Sequence, residues 1–204
     1  MDEPNRMRAR DCLTGPMRLA AFALLFVFFA ATAFANEIRV DNAQLQPADG
    51  GGYSLSADFD LDLSDRLDRA LSQGVPLYFN IDFECYRPRW YWFNETVTKK
   101  TYQLRLSFHA LTRTYRLSTG GLHQSFASMQ DAVRALGTMR DWHVIDADDL
   151  APHTTYEARV RMALDIDRLP KPFQVSALTN PDWTLTSGWL RWGFATGADG
   201  SIAQ

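Results

Sequence analysis

Alternation with a period of two runs through most of this chain, and it restricts the fold to sheets that bury one face. Tyr53, Leu55, Ala57, Phe59, Leu61 and Leu63 alternate with Ser54, Ser56, Asp58, Asp60 and Asp62. Successive side chains of a strand point to opposite faces, so such a segment buries its apolar set and solvates the other. Leu77, Phe79, Ile81, Phe83 and Cys85 repeat the pattern, as do Tyr102, Leu104, Leu106 and Phe108, with Tyr115 and Leu117 in a partner strand. The last long example is Tyr156, Ala158, Val160, Met162, Leu164 and Ile166, with Glu157, Arg159, Arg161 and Asp165 on its outer side. Gly50-Gly51-Gly52 turns a weaker strand, Ile38 to Leu45, back onto the first of these as a hairpin.

Two segments follow helical rules instead. Ser64 can cap a short helix with Leu67 and Leu71 on one face and Gly74 at its end. Ser128-Met129-Gln130-Asp131 resembles an acidic capping box and opens a helix through Val133, Leu136 and Met139, whose core face is Met129, Ala132, Val133 and Leu136. About seven strands with two short helical insertions predict an all-β fold, an immunoglobulin-like antiparallel β-sandwich. The rival is an α+β sheet with helices on one face, but these helices are too short to cover a sheet. A composition 46% hydrophobic and 13% aromatic supplies a sizeable core. Leu169-Pro170-Lys171-Pro172 ends the last strand. Residues 36–168 are therefore read as the sandwich domain and 169–204 as a Trp-rich tail packing on it, with fraying final residues.

Residues 1–35 read as a secretory signal peptide. Arg6, Arg8, Arg10 and Arg18 precede an uncharged run from Leu19 to Ala35, which closes on Ala33-Phe34-Ala35, a small-x-small cleavage pattern. The alternative is a retained anchor. The greasiest part, Leu19 to Ala31, covers only about 20 Å as a helix, short of the ~30 Å hydrocarbon core, so cleavage after Ala35 is the expectation. Either way the basic end stays inside and the domain lies outside, which predicts a periplasmic location. Met17 offers a second start that keeps Arg18, the apolar run and the cleavage pattern.

Composition and motifs narrow the chemistry. A net charge of −3 argues against a nucleic-acid surface, which needs clustered Lys and Arg. Once the signal is removed Cys85 is the remaining cysteine, so no internal disulfide can form; its phase among apolar positions makes it a small buried hydrophobe. His109, His123, His143 and His153 lack metal-ligand spacing. Asp146-Ala147-Asp148-Asp149 lacks the glycine and distal glutamate of a Ca²⁺ loop and reads as a solvated loop before Pro152. No nucleophile elbow, P-loop or dinucleotide fingerprint is present. No catalytic residue, metal or cofactor is therefore assigned. An enzymatic alternative would pair Cys85 with His143 or Asp146.

What remains is aromatic. Arg87-Pro88-Arg89-Trp90-Tyr91-Trp92-Phe93 sets four rings beside two guanidinium groups. Consecutive rings on a strand point to opposite faces, so they cannot all enter one core. Either some are exposed, or the tail's Trp183, Trp189 and Trp192 cover them; coverage is the slightly favoured reading. Arg87, Arg89, Trp90, Trp92, Trp183 and Trp189 form the candidate interaction surface, since Trp, Tyr and Arg dominate binding hot spots.

The signal peptide, the Val75–Trp92 segment and the ending Leu169-Pro170-Lys171-Pro172-Phe173-Gln174 with Asp182-Trp183-Thr184-Leu185-Thr186-Ser187-Gly188-Trp189 resemble a family of exported proteins of unknown function, found mainly in β-proteobacteria. The resemblance covers the mature chain and implies no activity or catalytic residue. Its members often lie beside genes for a membrane sensor kinase and a response regulator. The expected function is thus a periplasmic binding or accessory module, with an envelope protein such as a sensor kinase's external region as partner. The other reading from a different class is a structural envelope protein held at the membrane surface through the Trp-rich tail.

Overall fold

The computed structural model describes residues 38–91, 93–198 and 201–203; the expected signal segment, residues 1–35, and Trp92 lie outside them. The chain forms two antiparallel sheets. A three-stranded sheet has the order β1 (Arg39–Pro47), β2 (Tyr53–Asp60), β7 (Thr138–Ile145). In the seven-stranded sheet the order is β10 (Ile202–Ala203), β9 (Leu190–Thr196), β8 (Thr155–Leu164), β3 (Leu77–Arg87), β4 (Glu95–His109), β5 (Thr114–Thr119), β6 (Leu122–Phe126). Helices α1 (Asp65–Ser72), α2 (Met129–Leu136) and α3 (Lys171–Thr179) fill the connections. The all-β, sandwich-like class read from the alternation is what the structure shows, with strands divided three and seven.

The core follows the period-two pattern. On β3 Leu77, Phe79, Ile81, Phe83 and Cys85 are all fully buried, and on β8 Tyr156, Ala158, Val160, Met162 and Leu164 lie beside them. Leu55, Ala57 and Phe59 of β2 and Val144 and Ile145 of β7 belong to the same cluster. Each large side chain moved out of water contributes roughly 1.5–3 kcal/mol, which offsets the ordering cost of β3 paired on both edges. Helix α1 adds Leu67, Ala70 and Leu71. It is capped by Ser64 Oγ, which accepts from the Leu67 amide at 3.2 Å and donates to the Asp182 carbonyl at 2.9 Å. Ser128 caps α2 by accepting from the Asp131 amide at 3.1 Å. The Asp131 carboxylate accepts from the Ser128 hydroxyl at 2.7 Å rather than from the Ser128 backbone amide, so Ser128 is the N-cap but the reciprocal half of the box that the sequence predicts is replaced by a side-chain bond.

Three elements depart from the sequence reading. The second helix stops at Leu136 and the chain reverses at Gly137 into β7. That strand hides its alternation because the β2–β7 register shifts twice and Asp141 takes a φ of 50°. The last long strand ends at Leu164, before the prolines, and a 3-10 turn over Ile166–Arg168 follows it; Pro170 and Pro172 instead open α3, since Pro fits a first helical turn. The tail then forms β9, whose buried positions Phe194 and Thr196 alternate with the small residues Gly193 and Ala195 rather than with polar ones. The tail is part of the core: Leu169, Trp183, Leu185 and Phe194 are buried. Among the described residues no helix is long and apolar enough to cross a membrane.

Candidate functional site

The outward positions of β3 carry Asn80, Asp82, Glu84 and Tyr86, because the inward positions are taken by the core. Register then decides their partners. Glu84 lies between Lys99 of β4 and Arg159 of β8, and Asp82 between Thr101 and Arg161. Arg159 Nε donates to Glu84 Oε2 at 2.7 Å, and Lys99 Nζ sits 3.2 Å from Glu84 Oε1. The Tyr86 hydroxyl donates to the same carboxylate. Arg161 Nε donates to Asp82 Oδ2 and Thr101 Oγ1 to Asp82 Oδ1, at 3.0 and 2.8 Å.

Rings complete the cluster. The Arg159 guanidinium lies 4.8 Å from the Tyr86 ring centroid and 4.3 Å from that of Trp189, and Arg161 is 4.6 Å from Trp189. Cation–π contacts of this kind are worth about 0.5–2 kcal/mol each. Burial pushes the Glu84 carboxyl up, but hydrogen bonds from Tyr86, Arg159 and Lys99 outweigh it and hold the group below its ordinary value. The hydrogen bond to Glu84 raises Lys99 in return. The face is thus an ionic lattice around two carboxylates, Glu84 and Asp82, with Lys99 and Arg161 at its solvent-exposed edges.

At the end of β3 the chain leaves this face through a connection to β4. Its base is closed by Arg89 Nη2 donating to Glu95 Oε2 at 2.5 Å. At its tip Trp90 is 94% exposed, Phe93 86% and Tyr91 64%. Trp90 and Tyr91 meet edge to face at 5.0 Å. Nothing among the described residues covers these rings, so the slightly favoured coverage by the tail is corrected. The tail is occupied elsewhere: Trp183 packs on Phe173 at 5.2 Å, and Asp182 accepts a 2.8 Å hydrogen bond from Arg66 Nε of α1.

The six residues of the candidate surface therefore separate into three places. Arg87, Arg89 and Trp90 belong to the β3–β4 connection, and Trp92 lies outside the described residues. Trp189 belongs to the ionic face, and Trp183 is a core residue only 4% exposed. Sequence reading missed Glu84, Tyr86 and Lys99. A signal existed in the equal spacing of Asp82 and Glu84 against Arg159 and Arg161, the pattern that antiparallel neighbours of opposite charge produce.

Catalytic alternatives find no such assembly. Cys85 is buried, with its thiol pushed up to about 12 by burial and by the charge of Asp149. His143 sits on the surface with Nε2 2.6 Å from Asp146 Oδ1. The hydrogen bond from His143 and then the charge of Lys100 hold Asp146 below its ordinary value.

Fold and site together define an all-β, two-sheet domain whose polar clusters lie on open sheet faces and whose exposed rings gather at one connection. The chain belongs to the family described as Domain of unknown function (DUF4390), whose model matches residues 35–193. Searches of curated proteins and of solved structures each returned no match.

Proposed function

We propose that this chain is an exported, non-catalytic binding module of the cell envelope that engages a protein partner through the β3–β4 connection. The observation that carries the reading is the exposure of Trp90, Tyr91 and Phe93 side by side on one tip. Large rings left in water forgo the burial that the rest of the chain achieves, and aromatic and Arg side chains are the ones that anchor protein interfaces. Arg87 and Arg89 flank the rings, and Lys99 and Arg161 extend a cationic rim along the adjoining face, so the partner offers an apolar pocket beside acidic groups. The external region of a membrane sensor kinase, the partner suggested by the resemblance to β-proteobacterial exported proteins, is the first to test. Export is supported by the basic, apolar and small-x-small order of residues 6–35 and by a family match that starts at residue 35.

The test couples the purified chain and its Trp90→Ala/Phe93→Ala variant to resin and passes sensor-kinase external regions and envelope extract over both. Retention by the wild type with at least tenfold weaker retention by the variant is expected. Equal retention removes the tip from the interface, and binding of both forms only to lipid vesicles points to a membrane-surface protein instead. Mass measurement of the secreted product checks cleavage after Ala35.

A further inference from the structure

Sheet edges carry unpaired amide and carbonyl groups, and most edges in this chain are blunted. On β1 there are Arg39 and Asp41, a register shift between Val40 and Asn42, and a terminal Pro47. Strand β7 has Arg140 and Asp141, and β10 is only two residues long. Charge, bulges, proline and brevity are the devices that stop edges from recruiting other strands. Strand β6, Leu122-His123-Gln124-Ser125-Phe126, ends the large sheet with none of the first three, and Leu122 through Ser125 are exposed. Leu122 is 76% exposed.

The order of residues in β6 says what it would accept. Read antiparallel to itself about Gln124, Leu122 falls opposite the second copy's Phe126 and His123 opposite the second copy's Ser125. On one face two Leu122–Phe126 pairs thus flank a central Gln124–Gln124 pair, on the other His123 meets Ser125, and no like charges meet. The hydrogen-bonding phase agrees. The β5–β6 turn is the two-residue Gly120-Gly121, so Leu122, Gln124 and Phe126 spend their backbone groups on Thr119, Leu117 and Tyr115. The groups left pointing outward belong to His123 and Ser125, the two residues that face each other across the symmetry axis. A groove of about 580 Å³ borders β6, its lining mixed between apolar Leu104, Leu117 and Leu122 and polar His123, Gln124 and Arg140, and a second β6 would close its rim.

We infer that β6 is a homodimerisation edge: two copies of this chain pair β6 to β6 antiparallel about Gln124 and join their large sheets into one. The interface is isologous, as a two-fold requires. It leaves the β3–β4 tip of each copy free, so it does not depend on that tip's role.

The experiment measures mass by sedimentation equilibrium on the protein purified from an exporting host. Wild type is expected to approach twice the monomer mass as concentration rises. Gln124→Lys and Gln124→Glu each set like charges opposite one another and are expected to be monomeric, at least tenfold weaker in association. Their equal mixture is expected to recover the dimer. A Gln124→Cys chain is expected to cross-link to itself on oxidation, because Cα atoms across such a pair lie about 4.5–5.5 Å apart, whereas Leu111→Cys at the exposed β4–β5 turn is not. A wild type that stays monomeric, charge variants that still dimerise, or a Gln124→Cys chain that fails to cross-link overturns the proposal.

Discussion

Cys85 offers the sharpest check on the core, through its reaction with iodoacetamide. Only the thiolate reacts. A thiol at its ordinary value of 9.0 is about 10% ionised at pH 8, whereas one at about 12 is about 0.01% ionised. Ionisation alone therefore slows alkylation roughly a thousandfold, and full burial between Phe83 and the β8 residues Ala158 and Val160 slows it further, because reagent enters only when the sheet opens. Peptide-resolved mass spectrometry separates Cys85 from Cys12 and compares native with urea-unfolded protein. A rate ratio of at least about 10³ is expected, with the native rate still climbing between pH 9 and 11. The linked stability effect has a fixed sign. The unfolded thiol ionises near 9 and the folded one near 12, so between these values the unfolded chain binds fewer protons. Stability then falls with rising pH, by up to about 1.4 kcal/mol per unit from this group. Native labelling as fast as unfolded labelling refutes the burial and restores Cys85 as a nucleophile.

Other substitutions address the remaining features. Glu84→Gln leaves Arg159 and Lys99 without their anion and is expected to lower stability in urea by about 1–3 kcal/mol and to shift Trp189 emission. Because the Glu84 carboxyl is depressed in the fold, its contribution is present above about 4.5 and lost as pH falls through the folded value, so the wild type loses stability more steeply in acid than Glu84→Gln. At Gly137 an added Cβ would overlap the Phe59 carbonyl and lie 2.8 Å from Leu61 Cδ1. Gly137→Ala is therefore expected to cost about 1–3 kcal/mol in thermal unfolding. Trp183→Phe keeps the ring on Phe173 and removes a buried Nε1 that has no hydrogen-bond partner among the described residues. It is expected to stay within about 1.5 kcal/mol of wild type, whereas Trp183→Ala costs about 3–5.

The legible parts of this chain are those where one residue's environment repeats every second position. Leu77 through Cys85 and Tyr156 through Leu164 state their buried face outright. Alternation fails where a strand is bulged, as around Asp141 in β7, or where its outward positions are small, as at Gly193 and Ala195 in β9. The site was less legible for a related reason. Which strand lies beside which is a long-range fact, so Glu84, Lys99 and Arg159 could be read as outward but not as neighbours. The aromatic run is visible as an excess of rings, but the sequence offers the tail's own tryptophans as its cover, and only the long-range placement of buried Trp183, beside the Asp182–Arg66 bond to α1, removes that option.

The position of β3 has a consequence for the order in which the chain is made. One of its neighbours follows immediately in sequence, but the other arrives late: Arg159 reaches Glu84 across a separation of 75 residues. Trp183, Leu185 and Phe194, which complete the interior, come later still. Contacts this distant make folding slow relative to local pairing, and a growing chain cut short of β8 holds its central strand by one edge alone. Such a polypeptide cannot complete its large sheet until its last quarter, from Thr155 on, is available, a delay that the export proposed above would exploit.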